Sequence, residues 1–183
     1  MLRGEIVTLR TIEREDVEVL HGIDSAYETW PEISYSPYAP KSLDEVLKAF
    51  DGEDESTYRG TDSFVPFAID VDGEVVGTCC FWGIDAHNRR AHLGIGLGQE
   101  HRGRGIGTDT CKVLLHYAFV DRGLHRVQLE VLATNAAAIR SYEKAGFRED
   151  GRMRESAWVR GEFVDEVYMS VLAPEWTGRT STS

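Results

Sequence analysis

The sequence predicts a mixed α/β domain with a central mixed sheet flanked by helices. Asp72-Gly73 sits between two strand-like runs, 64–71 and 74–81, and Asp-Gly in that setting is a strong hairpin signal. A glycine-rich stretch, Gln99 to Thr110, joins a strand-like run to an apolar helical run. The elements read in order as β-α-α-β-β-β-α-β-α-β-β, which is α/β but departs from a strict βαβ alternation.

The elements follow from local chemistry. Glu5 to Thr11 reads as a first strand, with β-branched Ile6 and Val7. Thr11 is the expected N-cap of a helix over Ile12 to Tyr27, in which Val17, Leu20, His21 and Ile23 fall near helical spacing. Pro31, Pro37 and Pro40 then predict an irregular loop, made aromatic by Trp30, Tyr35 and Tyr38. Ser42 with Glu45 is a capping box that opens a helix to Phe50, and the acidic run Asp51 to Glu55 follows as a connection. After the hairpin, Asp85 to Arg90 is a turn. His92 to Gly98 is a strand weakened by Gly94, Gly96 and Gly98, which mark a bulge or a close approach. A helix over Gly105 to Arg122 ends at Gly123. Val127 to Ala133 is a strand and Asn135 to Ala145 a helix stopped by Gly146. Phe147 to Val159 and Phe163 to Leu172 are strands joined around Arg160-Gly161.

Composition narrows the class. The 183 residues suit one domain over 1–176, with 177–183 as a flexible tail, and no composition break divides them. Hydrophobic content of 42% and charged content of 28% are those of a soluble protein. No apolar stretch reaches membrane-spanning length and the first residues have no signal-peptide core, so a cytoplasmic location is expected. Cys79, Cys80 and Cys111 form neither a disulfide framework nor a zinc site, and the histidines lack metal spacing, so no metal is expected. The net charge of −11 argues against nucleic-acid binding and favours encounter with cationic small molecules or basic peptide tails.

Strand, glycine loop and helix N-terminus make an anion site. Glycines admit positive φ and close approach, and the first helical turn supplies free N–H groups at the positive end of the dipole. The loop is no P-loop, lacking Gly-Lys-Ser/Thr, and its third glycine comes one residue too early for the dinucleotide fingerprint. By itself it could equally be a glycine-rich turn with solvated arginines. Arg102-x-x-Gly105-x-Gly107, however, resembles the pyrophosphate loop of the GNAT superfamily of acyl-CoA-dependent N-acetyltransferases. A second motif, Asn135-x-x-Ala138-x-x-x-Tyr142-x-x-x-Gly146-Phe147, closely resembles the segment that follows in that family. The opening Gly4-Glu5-x-Val7-x-Leu9-Arg10 and the closing Gly161-x-Phe163-x-Asp165-x-x-x-Met169 are similar to the branch holding ribosomal-protein N-terminal and polyamine acetyltransferases.

The resemblance implies a GNAT fold with two splayed strands and a direct transfer from acetyl-CoA to a primary amine, with no covalent enzyme intermediate. It implies that Arg102, Gly103, Arg104, Gly105, Ile106, Gly107 and Thr108 bind the coenzyme A pyrophosphate. Ile95 and Leu97 would pair with the pantetheine arm through their backbone, and Asn135 would hold that arm. Tyr142 becomes the general acid for the thiolate; without the family it reads as a half-buried helix tyrosine. Glu130 lies five residues before Asn135, as the catalytic glutamate does in protein N-terminal acetyltransferases. The base stays open between Glu130, His92 and a water chain, and a salt-bridged surface role for Glu130 weighs equally. Trp30, Glu32, Tyr35, Tyr38 and His92 are expected to face the acceptor. That acceptor is a protein N-terminus, a polyamine or another small amine such as an aminoglycoside. A non-catalytic acyl-CoA sensor on the same fold is the alternative. Relatives are often homodimers, and that assembly stays open.

Overall fold

The computed structural model describes residues 1–28, 30–33, 37–52 and 58–178. Tyr35, residues 53–55 of the acidic run and most of the expected tail lie outside the described residues. Among the described residues, eight strands form one sheet in the order β1-β2-β3-β4-β5-β6-β8-β7. These are β1 (Leu2–Arg3), β2 (Thr8–Arg10), β3 (Phe64–Val71), β4 (Glu74–Asp85), β5 (Arg90–Leu97), β6 (Arg126–Leu132), β7 (Arg148–Val159) and β8 (Glu162–Leu172). Only β5 and β6 run parallel; every other neighbouring pair is antiparallel. The helices are α1 (Val17–Asp24), α2 (Trp30–Ile33), α3 (Leu43–Asp51), α4 (Ile106–His116) and α5 (Ala136–Ala145).

The hairpins follow the turn chemistry. Asp72 at φ 54° and Gly73 at φ 89° join β3 to β4, and Arg160 at φ 50° and Gly161 at φ 95° join β7 to β8, as two-residue primed turns require. The strands then alternate their side chains between two cores. Ile69, Phe81, Leu93, Leu129 and Met169 pack on the face that meets α4. On the opposite face Ala68 and Val75 pack with Val17 and Leu20 of α1, and Leu43, Val46, Leu47 and Phe50 of α3 flank them.

Several expected elements differ, each for a physical reason. The first strand shortens to Thr8–Arg10 because Gly4 to Val7 form a turn, closed by Gly4 N–H to Val7 O at 2.8 Å. Thr11 does not cap the following helix. Asp16 accepts the Glu13 N–H at 2.8 Å, so a 3-10 turn over Arg14–Asp16 precedes a shorter α1. Arg10 then reaches Asp16 through both terminal nitrogens, at 2.7 and 2.9 Å, and Asp70 through Nε at 3.1 Å. One side chain thereby ties the start of α1 to β2 and β3. Burial opposes the charge on Asp16, but the hydrogen bonds from Arg10 and the Glu13 N–H outweigh it and hold the carboxyl below its usual range. The proline-rich loop does contain a helical turn, α2, because Pro31 falls in its first turn, where its missing N–H costs nothing. The Ser42–Glu45 capping box is present, with Glu45 Oε2 accepting the Ser42 N–H at 2.8 Å. The helix after the glycine loop is α-helical only to His116; Tyr117–Asp121 widen to π geometry, with Arg122 N–H bonded to Tyr117 O at 2.9 Å.

One buried contact joins the chain's start to the glycine loop. The carboxylate of Asp109, in the first turn of α4 and 5% exposed, accepts the N–H groups of Glu5 at 3.2 Å, Ile6 at 2.7 Å and Val7 at 3.0 Å. Three successive N–H groups form a concave nest for an anion. A Cβ on Gly4 would sit 2.3 Å from Asp109 Oδ2, so glycine is required there. Asp109→Asn turns an acceptor into a donor facing N–H groups. It is expected to lower the free energy of unfolding by about 2 kcal/mol, read from urea denaturation.

Candidate active site

The parallel pair β5–β6 holds register only through Arg90↔Arg126, Ala91↔Val127 and His92↔Gln128. Beyond that point β5 stays with β4 as far as Leu97, and β6 stays with β8 as far as Leu132. A wedge therefore opens between two strands in the middle of the sheet. Gly98 N–H donates to Val76 O at 3.0 Å, so antiparallel alternation turns Gly96 and Gly94 toward β4. The backbone groups of Ile95 and Leu97 then lie on the open edge.

The glycine loop stands at the wide end of the wedge. Gly103 at φ 73° and Gly105 at φ 85° are left-handed, and Gly105 is the residue from which α4 starts. The first helical bond runs from Asp109 N–H to Gly105 O at 3.0 Å, which leaves the N–H groups of Ile106, Gly107 and Thr108 ahead of it. A Cβ at Gly107 would come within 3.4 Å of Ser141 Oγ. Thr108 Oγ1 lies 2.8 Å from the same Ser141 Oγ, which seats α5 beside the loop. Arg104 is exposed. Arg102 is held, with Nε donating to Leu97 O at 3.2 Å and Nη1 to Glu32 of α2 at 2.8 Å.

The narrow end holds two sequence candidates together. On β6 the residues Val127, Leu129 and Val131 are buried against α4, and alternation turns Gln128 and Glu130 to the other face. His92 Nδ1 lies 3.1 Å from Glu130 Oε1, and the imidazole stacks on Trp82 with ring centroids 4.0 Å apart. The side chains are 20% and 10% exposed, so the pair is largely withdrawn from water. Tyr168 stands opposite Glu130 in the β6–β8 register. Burial, with the charges of Glu130 and Glu166, pushes its phenol up.

On α5, Tyr142 is half-buried and packs edge-on to Phe147, with ring centroids 5.7 Å apart. Asn135 caps α5 by accepting the Ala138 N–H at 3.1 Å, which leaves its amide nitrogen as the end that can reach outward. Trp30 and Tyr38 pack edge-to-face at 5.4 Å, and Tyr27 meets Tyr38 at 5.1 Å, so these rings engage one another. Glu28 lies on a cleft of about 370 Å³ between α1 and the turn 98–101, together with Glu74, Leu97 and Glu100.

Comparison with known proteins places this architecture. Residues 7–148 match the family described as Acetyltransferase (GNAT) domain. The chain belongs to the GNAT acetyltransferases. This acetyltransferase is 28% identical to the uncharacterized N-acetyltransferase p20 of Bacillus licheniformis over 97% of its own length and 98% of that protein's. It is 27% identical to spermidine N(1)-acetyltransferase of Escherichia coli (strain K12), over 96% and 91% of the two chains. Its fold matches the crystal structure of spermidine N-acetyltransferase from Vibrio cholerae in complex with CoA and spermine. That match has a TM-score of 0.82 at 23% identity and covers 94% of this chain and 98% of that one.

Membership of the family makes acyl transfer to an amine the chemistry of this chain. The cysteines are poor nucleophiles for it. Burial pushes the Cys80 thiol up to about 11, against a hydrogen bond with the Gly94 backbone, and holds Cys79 and Cys111 well above the usual thiol range. Sequence reasoning missed Gln128, Arg126, Tyr168 and Asp109 around the site. The alternation that turns Glu130 away from α4 also puts Gln128 on its face, but nothing local told which strand it would meet.

The left-handed backbone at Gly105 yields a direct test. A β-branched residue there costs on the order of 1–2 kcal/mol of backbone strain, so Gly105→Val is expected to weaken coenzyme A binding about tenfold. Arg104→Ala, which removes only an exposed side chain, is expected to weaken it less. Isothermal titration calorimetry compares the two.

Proposed function

We propose that this enzyme transfers an acetyl group from acetyl-CoA directly to a cationic primary amine of the polyamine class, with residues 1–176 acting as one domain. The observation that carries this reading is the Glu130–His92 pair at the point where β5 and β6 part. A base at the neck of the wedge stands where an acceptor would meet an acyl group delivered along it.

The residues present fit coenzyme A. The left-handed Gly103 and Gly105 and the leading N–H groups of α4 suit its pyrophosphate. The open edge at Ile95 and Leu97 suits its two amides, in the manner of an added strand. Acetyl-CoA brings an activated thioester. Glu130 takes the proton from the attacking amine, and Ile95 N–H is available to a carbonyl oxygen. As the C–N bond forms and the C–S bond breaks, Tyr142 gives its proton to the departing sulfur and takes up the second proton of the amine, and the Asn135 amide borders the arm.

Glu130 and Glu166 both act on Tyr168, so negative potential gathers beside the proposed acceptor position. The net charge of −11 adds a long-range term of the same sign. The spermidine acetyltransferase relative supports the same class. A polyamine nitrogen near pKa 10.4 needs about 3 kcal/mol more deprotonation than an α-amino group near 8, which favours a poised carboxylate over water alone. The unpaired cysteines suit a reducing cytoplasm.

Mass spectrometry of products from polyamines, peptide N-termini and aminoglycosides tests the acceptor class; acetylation of neutral or anionic amines alone rejects it. Glu130→Gln and Tyr142→Phe are each expected to lower kcat about 100-fold while acetyl-CoA affinity stays near native. Electrostatic steering predicts that kcat/KM for the acceptor falls as ionic strength rises, and stopped assays across a salt series measure it.

A further inference from the structure

The Glu130–His92 pair is one end of a chain of hydrogen bonds that crosses four strands. Gln128 Nε2 lies 2.9 Å from His92 Nε2. Arg126 Nε donates to Gln128 Oε1 at 2.9 Å. The other arm of Arg126 reaches Asp150 Oδ2 on β7 at 2.5 Å, and Ser170 Oγ of β8 donates to Asp150 Oδ1 at 3.0 Å. His92 Nδ1 faces both carboxylate oxygens of Glu130, at 3.1 and 3.3 Å.

The order of donors decides where the protons sit. An arginine guanidinium only donates, so the Gln128 atom facing Arg126 must be its carbonyl oxygen. The other end of that amide is an NH2 group, which also only donates. His92 Nε2 must then present a lone pair, and the single imidazole proton falls on Nδ1, toward Glu130. A second proton on His92 would set N–H against N–H. Gln128 cannot turn over to relieve this, because its NH2 would then face Arg126. The charged or titratable groups around the ring are Glu130 and Arg126 of β6, Asp150 of β7 and Tyr168 of β8; Trp82 of β4 covers its face without charge.

We propose that Gln128, held by Arg126 and Asp150, is a positioning residue that keeps His92 neutral with its proton on Nδ1. That proton points at the Glu130 carboxylate and fixes its orientation toward the acceptor. In the transfer, the amine N–H bond breaks, a Glu130 O–H bond forms, and His92 keeps its proton. The inference rests on the reading of Glu130 as base.

Long-range 15N–1H correlation spectra of histidine-labelled protein test it, with His92→Gln assigning the signal. The native enzyme is expected to show the Nδ1–H tautomer near neutral pH. Gln128→Glu places an acceptor at Nε2, so the ring is expected to become doubly protonated. The imidazolium would then stabilise the Glu130 carboxylate, so the acid limb of kcat/KM should fall by about one pH unit, with acetyl-CoA affinity unchanged. Gln128→Leu removes the donor and is expected to give mixed tautomers with a melting temperature near native. A native spectrum showing Nε2–H overturns the proposal without any variant. So does Gln128→Glu with ring and limb both unchanged. Full turnover in Glu130→Gln overturns the base reading itself; a wrong tautomer alongside an inactive Glu130→Gln overturns only the role of Gln128.

Discussion

Three register pairs between β5 and β6, and no more, set up the candidate site. A parallel ladder that continued past His92↔Gln128 would consume the backbone groups of Ile95 and Leu97 and close the wedge. Each strand instead keeps its outer partner, so the sheet stays continuous while its centre opens. Close packing on the β4 side holds the parting firm. Gly77 lets the two backbones approach so nearly that a Cβ there would sit 2.1 Å from Gly96 O. An opening of this kind, lined by main chain that no neighbouring strand takes up, is where an extended ligand can pair as a strand would.

The glycine loop gains its rigidity from elsewhere. Asp109 ties the first turn of α4 to the Glu5–Val7 backbone, and Thr108 ties it to Ser141 of α5. Arg102 bonds back to Leu97 O and across to Glu32, which links the loop to the end of β5 and to α2. The leading N–H groups of α4 are thus presented by a helix start held from three sides, which suits preorganised anion binding. The opening Gly4-Glu5-x-Val7 pattern has the same explanation. Its glycine makes room for a carboxylate that belongs to α4.

Much of the fold was legible in the sequence because its signals are local. Asp72-Gly73, the Ser42–Glu45 box, the Asn135 cap and the Gly146 stop each act within a few residues, and each element ends where its chemistry says. The errors fell where a distant group intervened. Thr11 lost the helix start to Asp16, which Arg10 holds from β2, and the long helix widened into π geometry at Tyr117, whose ring packs against Phe67 and Phe81.

For the candidate site, the sequence by itself determined the place of the glycine loop before α4 and of the Asn135 cap with Tyr142 two turns on. Those depend on spacing along one element, and spacing is written in the chain. His92 and Glu130 stood as rival bases in the sequence because they lie 38 residues apart. Only the tertiary structure decided that they are partners, and that Gln128, Arg126 and Asp150 line up beside them. That outcome needs four strands in one register, and register is set by the whole sheet rather than by any segment of it.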